Sequence, residues 1–384
     1  MPVSTTARAT GILNTESRRV RDVSEGIFKL EPDSAPLTVL MSRLRKKQAD
    51  DPKIEWFEDE LIPRFDTLGN ALAAGDATMT VSNFAYFRSG DLWQVADKEI
   101  VLVTATPTGT SVTITRGVGV TYTTGQAAAN GGKLRLIASS AAENALGRDL
   151  LSTQKVPKFN YTEIFKHPFA VSRTAKYTKT FAGKDMVEEQ ANQLIEHRKD
   201  IEMAFLIGEK FEGSASTLPQ RSTGGILPYL VTNISTIASL TEAAFEGFLR
   251  RAFRYGKKQK VFLGASNVMT IINGFARGKL QIVPKDQSYG VTLNEYMNSG
   301  RRLMLAEHPL LENELQTDLS GLAGYGIVLD IEDLVLRYIG PNLAELQTNI
   351  QANDRDGRQD QYLSEVGLES HLEKKHGWVK GVTS

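Results

Sequence analysis

Carboxylates and histidines are the side chains of this sequence whose spacing invites a chemical reading. Glu196 and Asp200 share a helix face, Asp330, Glu332 and Asp333 cluster, and Asp354, Asp356 and Asp360 form a further group. General acid–base chemistry needs one carboxyl held in an apolar pocket and another kept ionised. Spacing alone supplies neither, so each cluster reads as a solvated face or turn. Residues 354–360 also miss the calcium-loop pattern, because Gly357 arrives too early and no terminal Glu stands where it is needed. The histidines, His167, His197, His308, His371 and His376, are scattered. His371 and His376 fall on different sides of a helix and on opposite faces of a strand, which argues against a metal pair. All five read as partly exposed polar residues.

Phosphate chemistry fares no better. Gly274, Gly278, Lys279 and Leu280 have the wrong spacing for a GxxxxGK loop and lack the hydroxyl that would follow it. Gly117 and Gly119 sit in a Thr-rich hairpin region, and neither a nucleophile elbow nor an HExxH helix is present. The chain has no cysteine, which excludes disulfides, thiolate metal sites and cysteine catalysis. Lys plus Arg number 45 and Asp plus Glu number 45, so the zero net charge argues against a strongly basic nucleic-acid clamp. No run approaches the roughly 20 consecutive apolar residues of a membrane span. The polar start, MPVSTTARATGILNTESRRV, lacks the apolar core of a secretory signal. No catalytic residue, cofactor, metal or membrane partner is expected.

The elements that must position these residues are many and varied. The first thirty or so residues carry Arg8, Arg18, Arg19, Arg21 and Lys29 without apolar periodicity and read as an extended arm. Pro36, Leu37, Leu40, Met41 and Leu44 predict a short amphipathic helix with a basic end at Arg43, Arg45, Lys46 and Lys47. An acidic run follows, Asp50, Asp51, Glu55, Glu58, Asp59 and Glu60, and such adjacent opposite blocks suit pairing between neighbouring subunits. From 66 to 140 a Thr- and Gly-rich stretch alternates with period two and predicts a small β module. In it Ile100–Thr106 and Thr110–Arg116 form a hairpin, the first run apolar enough to be buried on both faces. Ser140 and Glu143 stand in capping-box spacing before a helix through Leu150.

Residues 158–177 predict an extended ribbon with an edge position at Pro168. A long helix follows from Asp185 to about Phe211, on the order of 40 Å. Val187, Ala191, Leu194, Ile201, Ala204, Phe205 and Phe211 form its buried stripe, and Glu189, Asn192, Glu196, Arg198, Lys199 and Glu202 its polar face. In the C-terminal half Thr241 opens a helix with a Phe245, Phe248, Leu249, Ala252, Phe253 stripe. Strands are expected at Lys260–Leu263, Gly326–Ile331 and Leu334–Tyr338, a helix at Ala265–Phe275, and a late strand within Arg358–His376 that rejoins the long helix. The class is α+β.

Five stretches, in this order along the chain, resemble the tailed-phage major capsid proteins of the Hong Kong 97-type fold, SU-ten-like branch. They are WFEDEL at Trp56–Leu61, TEIFKHPFAVSRTA at Thr162–Ala175, EHRKDIEMAFLIGEK at Glu196–Lys210, RSTGGIL at Arg221–Leu227 and YLSEVGLESHLEKKHGWVKG at Tyr362–Gly381. The resemblance implies an N-terminal arm and short helix at 1–60 and an extended-loop region at 61–183 carrying the β module. It further implies a peripheral domain with its spine helix at 184–222, an axial domain at 223–340 and a return to the peripheral domain at 341–384.

The function so implied is self-assembly into hexamers and pentamers of an icosahedral shell enclosing double-stranded DNA. Subunit-interface candidates are Arg43, Arg45, Lys46, Lys47, Asp50, Asp51, Glu58, Asp59, Phe165 and Phe169. Implied partners are further copies of the chain, scaffold or maturation factors, a portal, decoration proteins, and packaged DNA contacted without sequence specificity. The implied location is the virion, after assembly in the host cytoplasm. Two alternatives stand beside it. One is the shell of a cellular nanocompartment with the same fold. The other is a hydrolytic enzyme with a β accessory module, which predicts lost activity on Asp330→Ala or Asp356→Ala.

Overall fold

A computed structural model of the chain describes residues 37, 45–141, 143, 149–178, 185–214, 217–276, 294–298, 300–311 and 321–383. The arm, Arg43 and most of the basic helix, most of the helix expected after Ser140, and Gly278–Leu280 lie outside the described residues. The chain forms two compact units, Met1–Trp56 with Lys158–Ser384, and Phe57–Pro157.

The first unit is built on a six-stranded sheet in the order Ile234–Thr236, Gly377–Lys380, Gly326–Leu329, Gln259–Gly264, Arg301–Glu307, Asn294–Asn298. Its central strand Gln259–Gly264 runs parallel to Arg301–Glu307 and antiparallel to Gly326–Leu329. Because successive side chains point to opposite faces, Val261, Leu263, Ile327 and Leu329 enter one apolar cluster while Phe262, Val328, Leu303 and Leu305 enter another. A sheet covered on both faces needs such continuous apolar runs. Helix Glu242–Ala252 covers the second face through the expected stripe, and its N-terminus is capped where the Thr241 hydroxyl accepts the Ala244 N–H at 3.3 Å.

The first cluster joins that sheet to the long helix and to a second sheet. This helix spans Asp185–Ile207, 23 residues, or about 34 Å. It buries Ile201, Phe205 and Leu206. Val187, expected in the stripe, is 62% exposed, and Phe211 lies beyond the helix in a two-residue strand. The second sheet has the order Lys46–Gln48, Leu334–Ile339, Gly357–Ser370, Glu163–Ser172, with Glu345–Gln347 also paired to Gly357–Ser370. Pro168 therefore sits in an edge strand, where its missing N–H costs no ladder bond. Lys46 and Lys47, expected at a helix end, are instead in a strand parallel to Leu336–Tyr338. Tertiary pairing outweighs a weak helical period there.

The second unit is a small barrel. Its strands follow the order Phe65–Thr67, Lys133–Ser139, Asp91–Val95, Ile100–Val103, Ser111–Thr115, Thr78–Thr80. The ring closes where Leu68 bridges Val81, with Gly69 N–H donating to Thr80 O at 2.9 Å and Ser82 N–H to Thr67 O at 3.1 Å. Inside are Trp93 stacked on Phe87, Val101, Val103, Val112, Ile114 and Leu134. Ile100 and Leu102, expected to be buried on the far face, are half-buried, because a barrel wall has a single inner side. Arg116 pairs with the buried Glu99 and donates its remaining N–H groups to the carbonyls of Ala73, Asp76 and Gln126.

Gly208, at the end of the long helix, and Gly225 bring two backbones together, with Gly225 N–H on Gly208 O at 2.6 Å. A Cβ on Gly225 would stand 2.8 Å from the Leu206 carbonyl carbon and 2.9 Å from Ala204 O, both rigid backbone. Gly225→Ala is expected to lower stability by about 1–3 kcal/mol. Gly247→Ala, mid-helix with nothing within 4 Å, should raise it by about 0.5–1 kcal/mol. Urea unfolding of the two variants against the parent chain checks both signs.

Candidate functional site

Residues with chemical potential gather in the first unit, in three clusters, each joining segments distant in sequence. In the first, Glu202 of the long helix accepts the Leu37 N–H at 2.7 Å and meets His308 Nε2 at 2.7 Å. All three residues are fully buried. Glu202 was expected on the polar face, yet it lies three and four residues before Phe205 and Leu206, on the apolar side of the helix. That spacing was visible in the sequence.

The second cluster lies between the long helix and the second sheet. Ser364 Oγ is 2.7 Å from His197 Nε2, His197 Nδ1 is 2.9 Å from His167 Nδ1, and His167 Nε2 is 2.9 Å from Asp200 Oδ2. His197 packs against Phe165 and Tyr362. Burial, reinforced by His167, holds its pKa down to about 4. The series resembles a nucleophile, base and orienting acid. Ser364, however, is only 2% exposed, so a substrate has no route to it.

The third cluster surrounds Lys260, whose ammonium donates to Ala252 O and Tyr255 O at 2.8 Å each and to Lys375 O. It thereby caps the C-terminus of helix Glu242–Ala252, where a cation is favoured. Burial lowers its pKa to about 8, against the opposing pull of Asp330 and Asp333. Asp330 accepts the Lys257 N–H, and its own N–H donates to His376 Nδ1 at 3.2 Å. Asp333 pairs with Lys375 at 2.8 Å. Burial, with Lys260 nearby, pushes His376 down to about 4.

Two sequence expectations are corrected by this geometry. His197, His308 and His376 are buried, not partly exposed, because each is a hydrogen-bonded link between elements. Asp330 and Asp360 are likewise buried; Asp360 pairs with Arg358 at 2.8 Å and accepts the Asn349 N–H, while Asp354 and Asp356 are exposed. Glu196 pairs with Lys199 at 3.6 Å, and Glu332 with Lys257. Asn160, in an Asn-Tyr-Thr triplet, is buried, donating to Gly224 O at 2.9 Å and Leu368 O at 2.6 Å and accepting from the Gly224 N–H at 2.7 Å.

Among the described residues no group of three His, Asp or Glu side chains is placed to hold a metal ion, and no helix is long and apolar enough to cross a membrane. A groove of about 470 Å³ in the second unit, lined by Leu61, Ile62, Pro63, Tyr86, Arg64 and Arg88 among others, contains neither carboxylate nor imidazole. Of the surface candidates, Arg45 donates to Glu332 O, Lys46, Lys47, Asp50, Asp51 and Asp59 are exposed, and Glu58 is half-buried. Phe165 lies in the core of the first unit, and Phe169 packs on Tyr362 at 5.9 Å.

The sequence pattern of a family described as SU10 major capsid protein matches residues 4–383. A major capsid protein of Pseudomonas phage PaMx41 is 23% identical over 352 residues, which cover 87% of this chain and 82% of that protein. Among solved structures, the capsid of a native GTA particle aligns at TM-score 0.51 and 10% identity, covering 98% of this chain and 100% of that one. Mycobacterium phage Cain aligns at 0.50 and 10% identity, covering 98% and 99%.

Glu202→Ala leaves a buried histidine and a buried backbone N–H without their acceptor and is expected to cost about 3–5 kcal/mol in urea unfolding. The buried groups also set a pH profile. His376, lowered from 6.5 to about 4, resists charging in the folded state, so stability is lost as pH falls below 6.5 toward 4. Lys260, lowered from 10.5 to about 8, opposes folding while charged, so its penalty is relieved as pH rises from 8 toward 10.5. Urea midpoints across pH should fall on the acid side, and His376→Gln should flatten that limb.

Proposed function

The chain belongs to the SU10 major capsid protein family, and from that premise we propose that it assembles with its own copies into the hexamers and pentamers of an icosahedral head shell around double-stranded DNA. It is a major capsid protein of a tailed phage, has the Hong Kong 97-type fold, and belongs to the virion capsid. Its role is structural, and we assign it no catalytic activity. The observation that carries this reading is the fate of its reactive side chains. Each buried cluster described above is consumed in tying remote segments together, and the acid–base relay has no path to solvent for a substrate.

In this reading residues 1–60 are the arm, 61–183 the extended-loop region with its barrel, 184–222 the peripheral domain with its spine helix, 223–340 the axial domain, and 341–384 the return to the peripheral domain. Lys46 and Lys47, with Arg45, face Asp50, Asp51, Glu58 and Asp59 of a neighbouring copy; Arg43, the remaining basic candidate, lies outside the described residues. Charge complementarity of this kind fixes register between subunits. Phe165 and Phe169 support such contacts from within their own subunit by holding the edge strand Glu163–Ser172. The further partners are scaffold or maturation factors, a portal and decoration proteins. Packaged DNA is touched without sequence preference, in keeping with a net charge of zero, and assembly takes place in the host cytoplasm.

Sedimentation and negative-stain microscopy of the purified full chain test the assembly directly. Closed shells, rings or tubes are expected, and removing residues 1–47 should abolish closed particles. Lys46→Glu with Lys47→Glu should lower particle yield about tenfold or more, and adding Asp50→Lys with Asp51→Lys should restore it. Normal shells from the truncation, or no rescue by the second reversal, would overturn the assignment of this surface.

A further inference from the structure

The facing Nδ1 atoms of His167 and His197 limit how many protons the pair can hold. With both rings neutral, the Ser364 hydroxyl donates to His197 Nε2, His197 Nδ1–H to His167 Nδ1, and His167 Nε2–H to the Asp200 carboxylate, so every donor meets an acceptor. One added proton is accommodated by reversal. His167 then carries hydrogen on both nitrogens and donates to His197 Nδ1 and to Asp200, while His197, protonated on Nε2 alone, donates to Ser364 Oγ. The positive charge stays beside the carboxylate. A second proton finds no such place, because both Nδ1 atoms would carry hydrogen and two imidazolium rings would oppose each other across 2.9 Å.

We propose that the His167–His197 pair is an acid-sensitive latch between the long helix and the edge strand Glu163–Ser172, closed with no proton or one added and parted when both rings are charged. The elements around it bias the second proton in both directions. From the helix, Asp200 favours charge on His197 and Arg198 opposes it. From the edge strand come His167 itself and Glu163, whose carboxyl is raised by burial and also feels Asp200. Strand Gly357–Ser370 presents Ser364 and Tyr362, and farther along the same face Asp360, which is committed to Arg358. The outward end of the relay is open to water, since the Asp200 side chain is mostly exposed. Protons therefore reach the latch without prior unfolding.

Hydrogen exchange of the assembled full-length protein, corrected for the intrinsic pH dependence of exchange and followed from about pH 7 to about pH 3.5, tests the latch. Peptides spanning 163–172 and 194–204 should lose protection before the rest of the first unit. His167→Asn offers an oxygen to His197 Nδ1–H without a second charge, so its opening should move at least about one pH unit lower. Asp200→Asn removes the carboxylate that steadies the added charge in the closed latch but not in the parted one, so the closed form holds its protons less well and its opening should move about one unit higher. Opposite shifts support the latch. Identical opening pH in the parent and both variants, or protection lost uniformly along the chain, overturns it. Should His167→Asn fail to fold, the direction of the Asp200→Asn shift decides the matter alone.

Discussion

The strand Gly357–Ser370 is the constraint on which the first unit depends. Fourteen residues long, it lies between Glu163–Ser172 and Leu334–Ile339 and carries Glu345–Gln347 as well. Its inward side chains, Asp360, Tyr362, Ser364, Val366 and Leu368, form the floor on which the long helix rests. It also comes later in the chain than every strand it pairs with. The sheet that supports the spine therefore cannot close until most of the chain is available, which places the decisive contacts at high sequence separation and predicts slow, late consolidation. Asn160 reinforces the dependence, since its amide binds the carbonyl of Leu368 and the backbone at Gly224 together.

Much of this was legible beforehand, and the reasons differ by element. Helix Glu242–Ala252 announced itself through a Thr cap and a full apolar stripe, and the hairpin through two β-branched runs joined by Pro107–Gly109. Those signals are local. The polar clusters were not, because His167 and His197 are thirty residues apart and meet only through the packing of helix against sheet. The partial exposure expected for the histidines followed from counting sequence neighbours, and the fold supplies different ones. Lys260 carried a usable hint, being a cation at the head of an apolar strand buried on both faces. Glu202 carried another in its spacing to Phe205 and Leu206. The strand at Lys46–Gln48 had none, since its partner lies nearly three hundred residues away.

Buried polar groups are expensive unless fully paired, and a chain without cysteine has no covalent means of fixing its remote segments. Here the polar clusters take over that task of orientation. Glu202 holds the N-terminal segment at Leu37, Lys260 holds the C-terminal tail at Lys375, and His197 holds the middle of the long helix. Apolar contacts of equal area would tolerate sliding. Directed hydrogen bonds in a dry interior tolerate far less, because a small displacement leaves charges and donors without partners. A subunit that must repeat one geometry in every copy gains from that intolerance.

The barrel of Phe57–Pro157 has its own apolar core and closes its strands on themselves at Leu68 and Val81. A ring of strands without a free rim presents few unpaired backbone groups to other chains. Where many copies of one polypeptide meet, exposed strand edges would seed tangled aggregates, and the insertion is thus chemically quiet. Its separate core has an evolutionary corollary. Substitutions inside it and substitutions in the sheets of the first unit act on independent packing and add rather than compound. The insertion can therefore diverge, or be exchanged for another module, at a rate of its own.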